Sequence, residues 1–91
     1  MPYIDDKGRE YWDPKIVNLL SFIDEHTPKG EVNYIITKIC IAYQGNNKSY
    51  SHKSDVKGML MDVRDEFGRR SMDPYEDKKK KENGDVYPEG D

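Results

Sequence analysis

The sequence predicts a small all-α protein, a helical bundle of about three helices with an extended N-terminal arm and a polar C-terminal tail. The most apolar run of the chain, residues 31–43, repeats its apolar residues at i, i+3, i+4 and i+7, as one face of a helix does. Two further segments show the same spacing, and proline follows an acidic residue or threonine where helices could begin. Strict alternation, the pattern of a half-buried strand, is absent.

The first helix is predicted over residues 13–25. Asp13 can accept hydrogen bonds from free backbone N–H groups, and Pro14 suits a first helical position, where its missing donor costs nothing. Residues 1–12 are expected to form an extended arm across the helices. The apolar stripe predicted for this helix consists of Ile16, Leu19, Leu20 and Ile23.

The central helix is predicted over residues 31–43, after a second start signal at Thr27-Pro28. A strand is the alternative, because isoleucine and valine favour strands. Adjacent apolar residues such as Ile35-Ile36 break the alternation, and the run is longer than a usual strand. The buried stripe predicted for this helix is Val32, Ile35, Ile36, Ile39 and Tyr43.

A polar turn at residues 44–48 precedes a third helix, predicted over residues 50–72 with its start near Ser49 or Ser51. Pro74 disfavours helix at the residue before it, so the helix is expected to end there. The stripe predicted for this helix is Val56, Met59, Leu60, Val63 and Phe67. Residues 1–73 therefore form the predicted helical domain, and residues 74–91 the tail.

Composition limits what this chain can do. It has 91 residues, of which 34% are hydrophobic and 36% charged, and a single cysteine, Cys40. Such a chain has material for one thin core and no internal disulfide, so we expect an oligomer. A net charge of −3 argues against a protein that coats nucleic acid. Without a signal peptide or a membrane-spanning run, we expect a cytoplasmic protein that does not contact membranes.

Three stretches of the chain resemble one family: Met1-Pro2-Tyr3-Ile4, residues 30–37, and residues 74–87. The family consists of small uncharacterised proteins, a domain of unknown function, from bacteria, archaea and phages. The resemblance implies that the tail is a family feature, where composition alone indicates disorder. The tail motif that carries it comprises Pro74, Tyr75, Glu76, Asp77, Lys78, Asn83, Gly84, Asp85 and Tyr87.

Catalytic and metal chemistry find little support in the sequence. Cys40, His26 and His52 are the only soft metal ligands, and they lack the paired spacing of a zinc site. No nucleophile motif or phosphate-binding glycine loop is present. We therefore predict no metal, no cofactor and no enzymatic activity.

Binding is the better-supported class, and a protein partner is the favoured one. The predicted function is a non-enzymatic binding or adaptor protein that acts through protein–protein contacts of its aromatic arms and tail. The alternative is a phage-type sponge that sequesters a small anionic, nucleotide-like signal between helices, because arginine binds phosphate bidentately and tyrosine stacks on bases. The candidate ligand-binding residues are Asn33, Tyr34, Thr37, Lys38, Arg64, Arg70 and Tyr75.

The arginines also have a purely structural interpretation. Asp65 with Arg69, and Glu66 with Arg70, have the i, i+4 spacing of ion pairs on a helix surface. Arg64 has no acidic neighbour at that spacing. It is therefore the arginine that surface ion pairing explains least.

Overall fold

The computed structural model describes residues 4–88 and residue 90 and confirms the all-α class. These residues form helices and no strand. The elements are α1 (Asp6–Leu20), α2 (Lys29–Gln44), α3 (Tyr50–Phe67), a π-helical segment (Gly68–Met72) and α4 (Asp73–Asn83), the last three following one another without a break. The chain divides into two compact units, Met1–Val56 and Lys57–Asp91. The predicted division into residues 1–73 and 74–91 stays a prediction.

Helix α1 begins seven residues before its predicted start. Its N-cap is Asp5, whose Oδ1 accepts a hydrogen bond from the Gly8 N–H at 2.9 Å. Residues 6–12 are therefore helical, which corrects the predicted extended arm; residues 1–3 lie outside the described part. Pro14 sits inside α1 instead of opening it. The Asp13-Pro14 signal was misleading because an equally good cap lies upstream of it.

The start of α1 can be tested at its two rival caps. Asp5→Ala is expected to lower the free energy of unfolding by about 1 kcal/mol, because it leaves a helix N–H without its acceptor. Asp13→Ala is the matched control and should cost nothing, since alanine is the better residue inside a helix. Urea denaturation followed by circular dichroism measures both. A larger loss of unfolding free energy for Asp13→Ala than for Asp5→Ala would show that the helix starts at Asp13.

The connection between α1 and α2 is a turn held by its own side chains. Asp24 Oδ1 accepts from the His26 N–H at 2.8 Å, and Thr27 Oγ1 accepts from the Asp24 N–H at 3.0 Å. Helix α1 therefore ends at Leu20, before the predicted residue 25. Since the Thr27 hydroxyl is used in the turn, Pro28 takes the cap position of α2, which starts two residues before the prediction.

The corner between α2 and α3 agrees with the sequence prediction. Gly45 adopts a positive φ of 54° and its N–H donates to Ile41 O at 3.0 Å. Ser49 precedes α3 and its Oγ accepts from the His52 N–H at 3.2 Å. The His52 Nε2–H in turn donates to Tyr43 O at 2.8 Å, and the two rings lie edge to face with centroids 5.0 Å apart. These local contacts link the end of α2 to the first turn of α3.

Pro74 does not end the third helix, which corrects the predicted boundary at residue 72. In the π-helical segment the Asp73 N–H donates to Gly68 O, five residues back. Pro74 is the second residue of α4 and directly follows this wider turn, so the helix passes through it where the regular i→i−4 hydrogen bonds are already interrupted. The helix continues to Asn83, and Gly84 ends it with a φ of 88°. Half of the predicted polar tail is thus helical.

The predicted apolar stripes exist, but a single chain does not bury them. Val32, Ile35 and Val56 are half-buried, whereas Ile36 and Ile39 on α2 are 44% and 51% exposed. Throughout residues 4–88 no side chain reaches a buried state. The predicted stripes are therefore not buried within one chain. Helical spacing shows which residues share a face, and it does not show what covers that face.

Candidate binding surfaces

Four of the predicted ligand-binding residues lie on α2, in the first unit, and contact one another in pairs. Thr37 Oγ1 donates to Asn33 O at 2.8 Å and lies 3.3 Å from Asn33 Oδ1. Lys38 Nζ lies 5.9 Å from the centre of the Tyr34 ring, within the range of a cation–π contact. All four are exposed. They form two neighbouring pairs on one helix.

A small groove lies beside this helix within the first unit. It holds about 160 Å³, and its lining residues are Thr37, Cys40, Ile41, Gln44 and Val56. Pockets for drug-sized ligands typically hold about 300–1,000 Å³. Thr37 is the only member of the predicted ligand set in this groove. Its size and apolar lining suit a side chain of another protein better than a nucleotide.

The arginines of the second unit form ion pairs that differ from the predicted ones. Arg64 donates to the adjacent Asp65 through Nε and Nη2, at 3.2 and 3.0 Å. Arg69 pairs with Glu66 at 2.6 Å. The predicted pairs Asp65–Arg69 and Glu66–Arg70 are therefore replaced, because each carboxylate takes a closer neighbour. Arg70 makes no ion pair with any residue of the described part.

The tail motif forms a groove in the second unit. Gly84 turns the chain at the end of α4, and Asp85 Oδ1 accepts from the Tyr87 N–H at 3.1 Å. The residues after α4 thereby form one wall of a groove of about 420 Å³, and α4 forms the other. Its lining residues are Glu76, Asp77, Lys79, Lys80, Asn83, Gly84, Asp85, Val86 and Tyr87.

The charges around this groove are largely matched within α4. Lys79 Nζ lies 3.1 Å from Glu82 Oε2, and Lys80 Nζ lies 4.0 Å from Asp77 Oδ1. Lys79 also lies 5.8 Å from the centre of the Tyr75 ring. The groove is therefore a mixed surface of paired charges with aromatic and aliphatic groups, without a free cationic cluster among its lining residues.

The structure brings part of the predicted site together. Six residues of the tail motif line the groove: Glu76, Asp77, Asn83, Gly84, Asp85 and Tyr87. Pro74, Tyr75 and Lys78 lie on α4 outside its lining. The sequence prediction missed Lys79, Lys80 and Val86. The signal for the two lysines was their i, i+3 spacing from Glu76 and Asp77, which places them on the same side of a helix.

Within residues 4–88 and residue 90 no three histidine, cysteine, aspartate or glutamate side chains come close enough to share a metal ion. None of the helices in that part of the chain combines the length and apolar character needed to cross a bilayer.

Comparison with known proteins identifies a family and no activity. Neither a curated protein nor a solved structure matches this chain. One family model does match, over residues 1–86, and therefore covers both units and most of the tail. This agrees with the resemblance to a family of unknown function that the sequence indicated. The chain belongs to the family described as Domain of unknown function (DUF6899).

Proposed function

We propose that this chain is a non-enzymatic adaptor that binds a protein partner through the groove of its C-terminal unit. The observation that carries the proposal is the exposure of aromatic and aliphatic side chains at and beside that groove. Val86 and Tyr87 line the groove and are 92% and 72% exposed. Tyr75 lies beside it, with its ring 5.8 Å from the Nζ of the lining residue Lys79, and is 60% exposed. Tyrosine is enriched in protein interfaces because its ring is a large apolar surface that ends in a hydroxyl group.

The charges of the groove favour a protein over a small anion. The lysines that line it are paired with Glu82 and Asp77, and the carboxylates of Glu76 and Asp85 lie in the same lining. An anion would meet these carboxylates at short range, and like charges repel it. A protein segment carries apolar and charged groups together, so it can cover Tyr87 while its own polar groups meet the paired charges.

Co-purification tests the proposal. The tagged full chain is isolated from cells in which it naturally occurs, beside the double variant Tyr75→Ser/Tyr87→Ser. Aromatic side chains at the centre of an interface each contribute on the order of 1–2 kcal/mol, so recovery of the partner should fall at least about tenfold. Tyr34→Ser is the matched control, because Tyr34 is 64% exposed on α2, outside the groove.

Equal recovery of the partner by the wild-type chain and the double variant would contradict the proposal. Native mass spectrometry of the same preparations distinguishes the small-ligand alternative from protein binding. A bound mass of nucleotide size that disappears in Arg70→Ala would replace protein binding with ligand sequestration. Arg70 is the informative position because it makes no ion pair with a described residue.

A further inference from the structure

Helix α2 is apolar on opposite sides, and both sides are exposed. Ile36 and Ile39 lie on the predicted stripe, and Ile41 lies two residues further on, about 200° around the helix axis from Ile39. Ile41 is 57% exposed, as much as the stripe residues are. A helix that is apolar on all sides is normally buried in a core. The first unit supplies cover for only part of α2, at the groove that Val56 lines.

Helix α1 presents a second uncovered stripe in the same unit. Its members follow the spacing i, i+4, i+7, i+8, which places them on one side of the helix. They are Trp12, Ile16, Leu19 and Leu20, with exposed fractions between 37% and 55%. Elsewhere on α1, Lys15 covers part of Tyr11, with its Nζ 3.5 Å from the ring centre. The stripe itself remains available to a partner.

The exposed area matches what a stable dimer needs. The chain exposes 8503 Å², whereas a folded monomer of its 10.7 kDa mass exposes about 5,500 Å². The excess is about 3,000 Å² for each chain. Obligate homodimers bury roughly 2,000–5,000 Å² in total, and their interfaces are the more hydrophobic class. Two chains carry about 6,000 Å² of this excess, so an interface of that class would cover between about one third and five sixths of it.

The charges of α1 and α2 suit a second copy of the same chain. From Val32 to Gln44, α2 carries one charged residue, Lys38. The charges of α1 balance, because three acidic residues stand against three basic ones: Asp6, Glu10 and Asp13 against Lys7, Arg9 and Lys15. The two helix surfaces together carry a net charge of about +1, so two identical copies repel each other only weakly. Self-association through one shared patch is also the commonest symmetry of soluble oligomers.

We propose that the chain self-associates, and that a second copy covers the apolar sides of α1 and α2. This surface lies in the first unit and is separate from the groove proposed to bind another protein. Completion of the core by a second copy gives the exposed isoleucines a structural role. The purified full chain carries this surface without any partner, so self-association is tested independently of the proposed function.

The mass of the purified full chain in solution is the first test. Sedimentation equilibrium from about 1 to 100 μM, a range that spans ordinary oligomer affinities, should give at least twice the chain mass of 10.7 kDa. A mass of one chain throughout this range would overturn the proposal. This result does not depend on any substitution and needs no partner protein.

The variant Ile39→Glu tests whether the self-association surface lies on α2. A carboxylate placed in the interface loses water without gaining a partner, so the dissociation constant should rise at least about thirtyfold. Met72→Glu is the matched control, because Met72 is 53% exposed in the other unit and lies outside its groove, and it should change the constant less than threefold. If Ile39→Glu loses its helical circular dichroism, Ile39→Ala is used instead and should weaken association about tenfold. Association lost in Met72→Glu and kept in the Ile39 variant would overturn the proposal.

Discussion

Replacing Pro14 with alanine is expected to raise the free energy of unfolding by about 3 kcal/mol. Pro14 lies inside α1, which runs from Asp6 to Leu20. It has no N–H to donate to the carbonyl of Glu10, four residues earlier, and its ring crowds that carbonyl. Alanine restores the donor and removes the ring. Few single substitutions at an exposed position have so large a stabilising effect.

Thermal and urea denaturation at one fixed protein concentration measure this change, since self-association makes stability depend on concentration. A gain of about 3 kcal/mol corresponds to a rise in Tm of more than about 10 °C for a chain of this size. Pro74→Ala is the comparison variant and should gain less, because the π-helical turn before Pro74 already interrupts the regular i→i−4 hydrogen bonds there. No gain in stability for Pro14→Ala would place Pro14 in the first turn of a helix, as the Asp13-Pro14 pattern indicates.

Replacing Gly45 with alanine is expected to lower the free energy of unfolding by about 1–3 kcal/mol. Gly45 ends α2 with φ 54° and ψ −135°, a conformation that residues with a Cβ rarely adopt. An added Cβ would lie 3.6 Å from Ala42 O, an ordinary contact, so the cost comes from the backbone and not from a clash. The loss should loosen the corner where His52 binds Tyr43 O.

Gly58→Ala is the counterpart and should have the opposite sign. Gly58 lies inside α3, and an added Cβ would meet no atom within 4 Å. Alanine in a helix interior is more stable than glycine by roughly 0.5–1 kcal/mol, so this variant should be the more stable one. Urea denaturation compares both with the wild-type chain. A rise in the free energy of unfolding for both variants would show that Gly45 does not need its positive φ.

Local signals predicted the middle of the molecule well. The apolar run around Ile35-Ile36, the Gly45 turn and the Ser49 cap each depend on residues within one or two helical turns, and the structure contains all three. Hydrogen bonds over so short a distance are decided by the chain's own sequence. The family resemblance was also recognisable from short motifs, and the family model confirms membership in a family of unknown function.

The two Asp-Pro steps show where local signals were insufficient. Asp13-Pro14 predicts a helix start and lies inside α1, while Asp73-Pro74 predicts a helix end and opens α4. The dipeptide is the same, so its neighbours decide its role. Upstream of the first step, Asp5 caps the helix earlier; at the second, the Asp73 N–H bonds to Gly68 O in a wider turn.

Local signals likewise predicted one part of the candidate site and not the other. Asn33, Thr37, Tyr34 and Lys38 form the pairs that their i, i+4 spacing on α2 permits. The tail groove could not be predicted, because it needs both the continuation of helix through Pro74 and the turn at Gly84. Arg64 also takes its neighbour Asp65, a pair that i, i+4 spacing does not include.

The sequence by itself determined the helical class, the central helix and the faces on which apolar side chains lie, because periodicity and capping act over a few residues. Only the tertiary structure decided whether those faces are covered. Burial depends on contacts between residues that are far apart in the chain or on different chains. The spacing of apolar residues along a helix is the same whether its apolar face is covered or exposed. In this protein the faces of α1 and α2 remain exposed in a single chain.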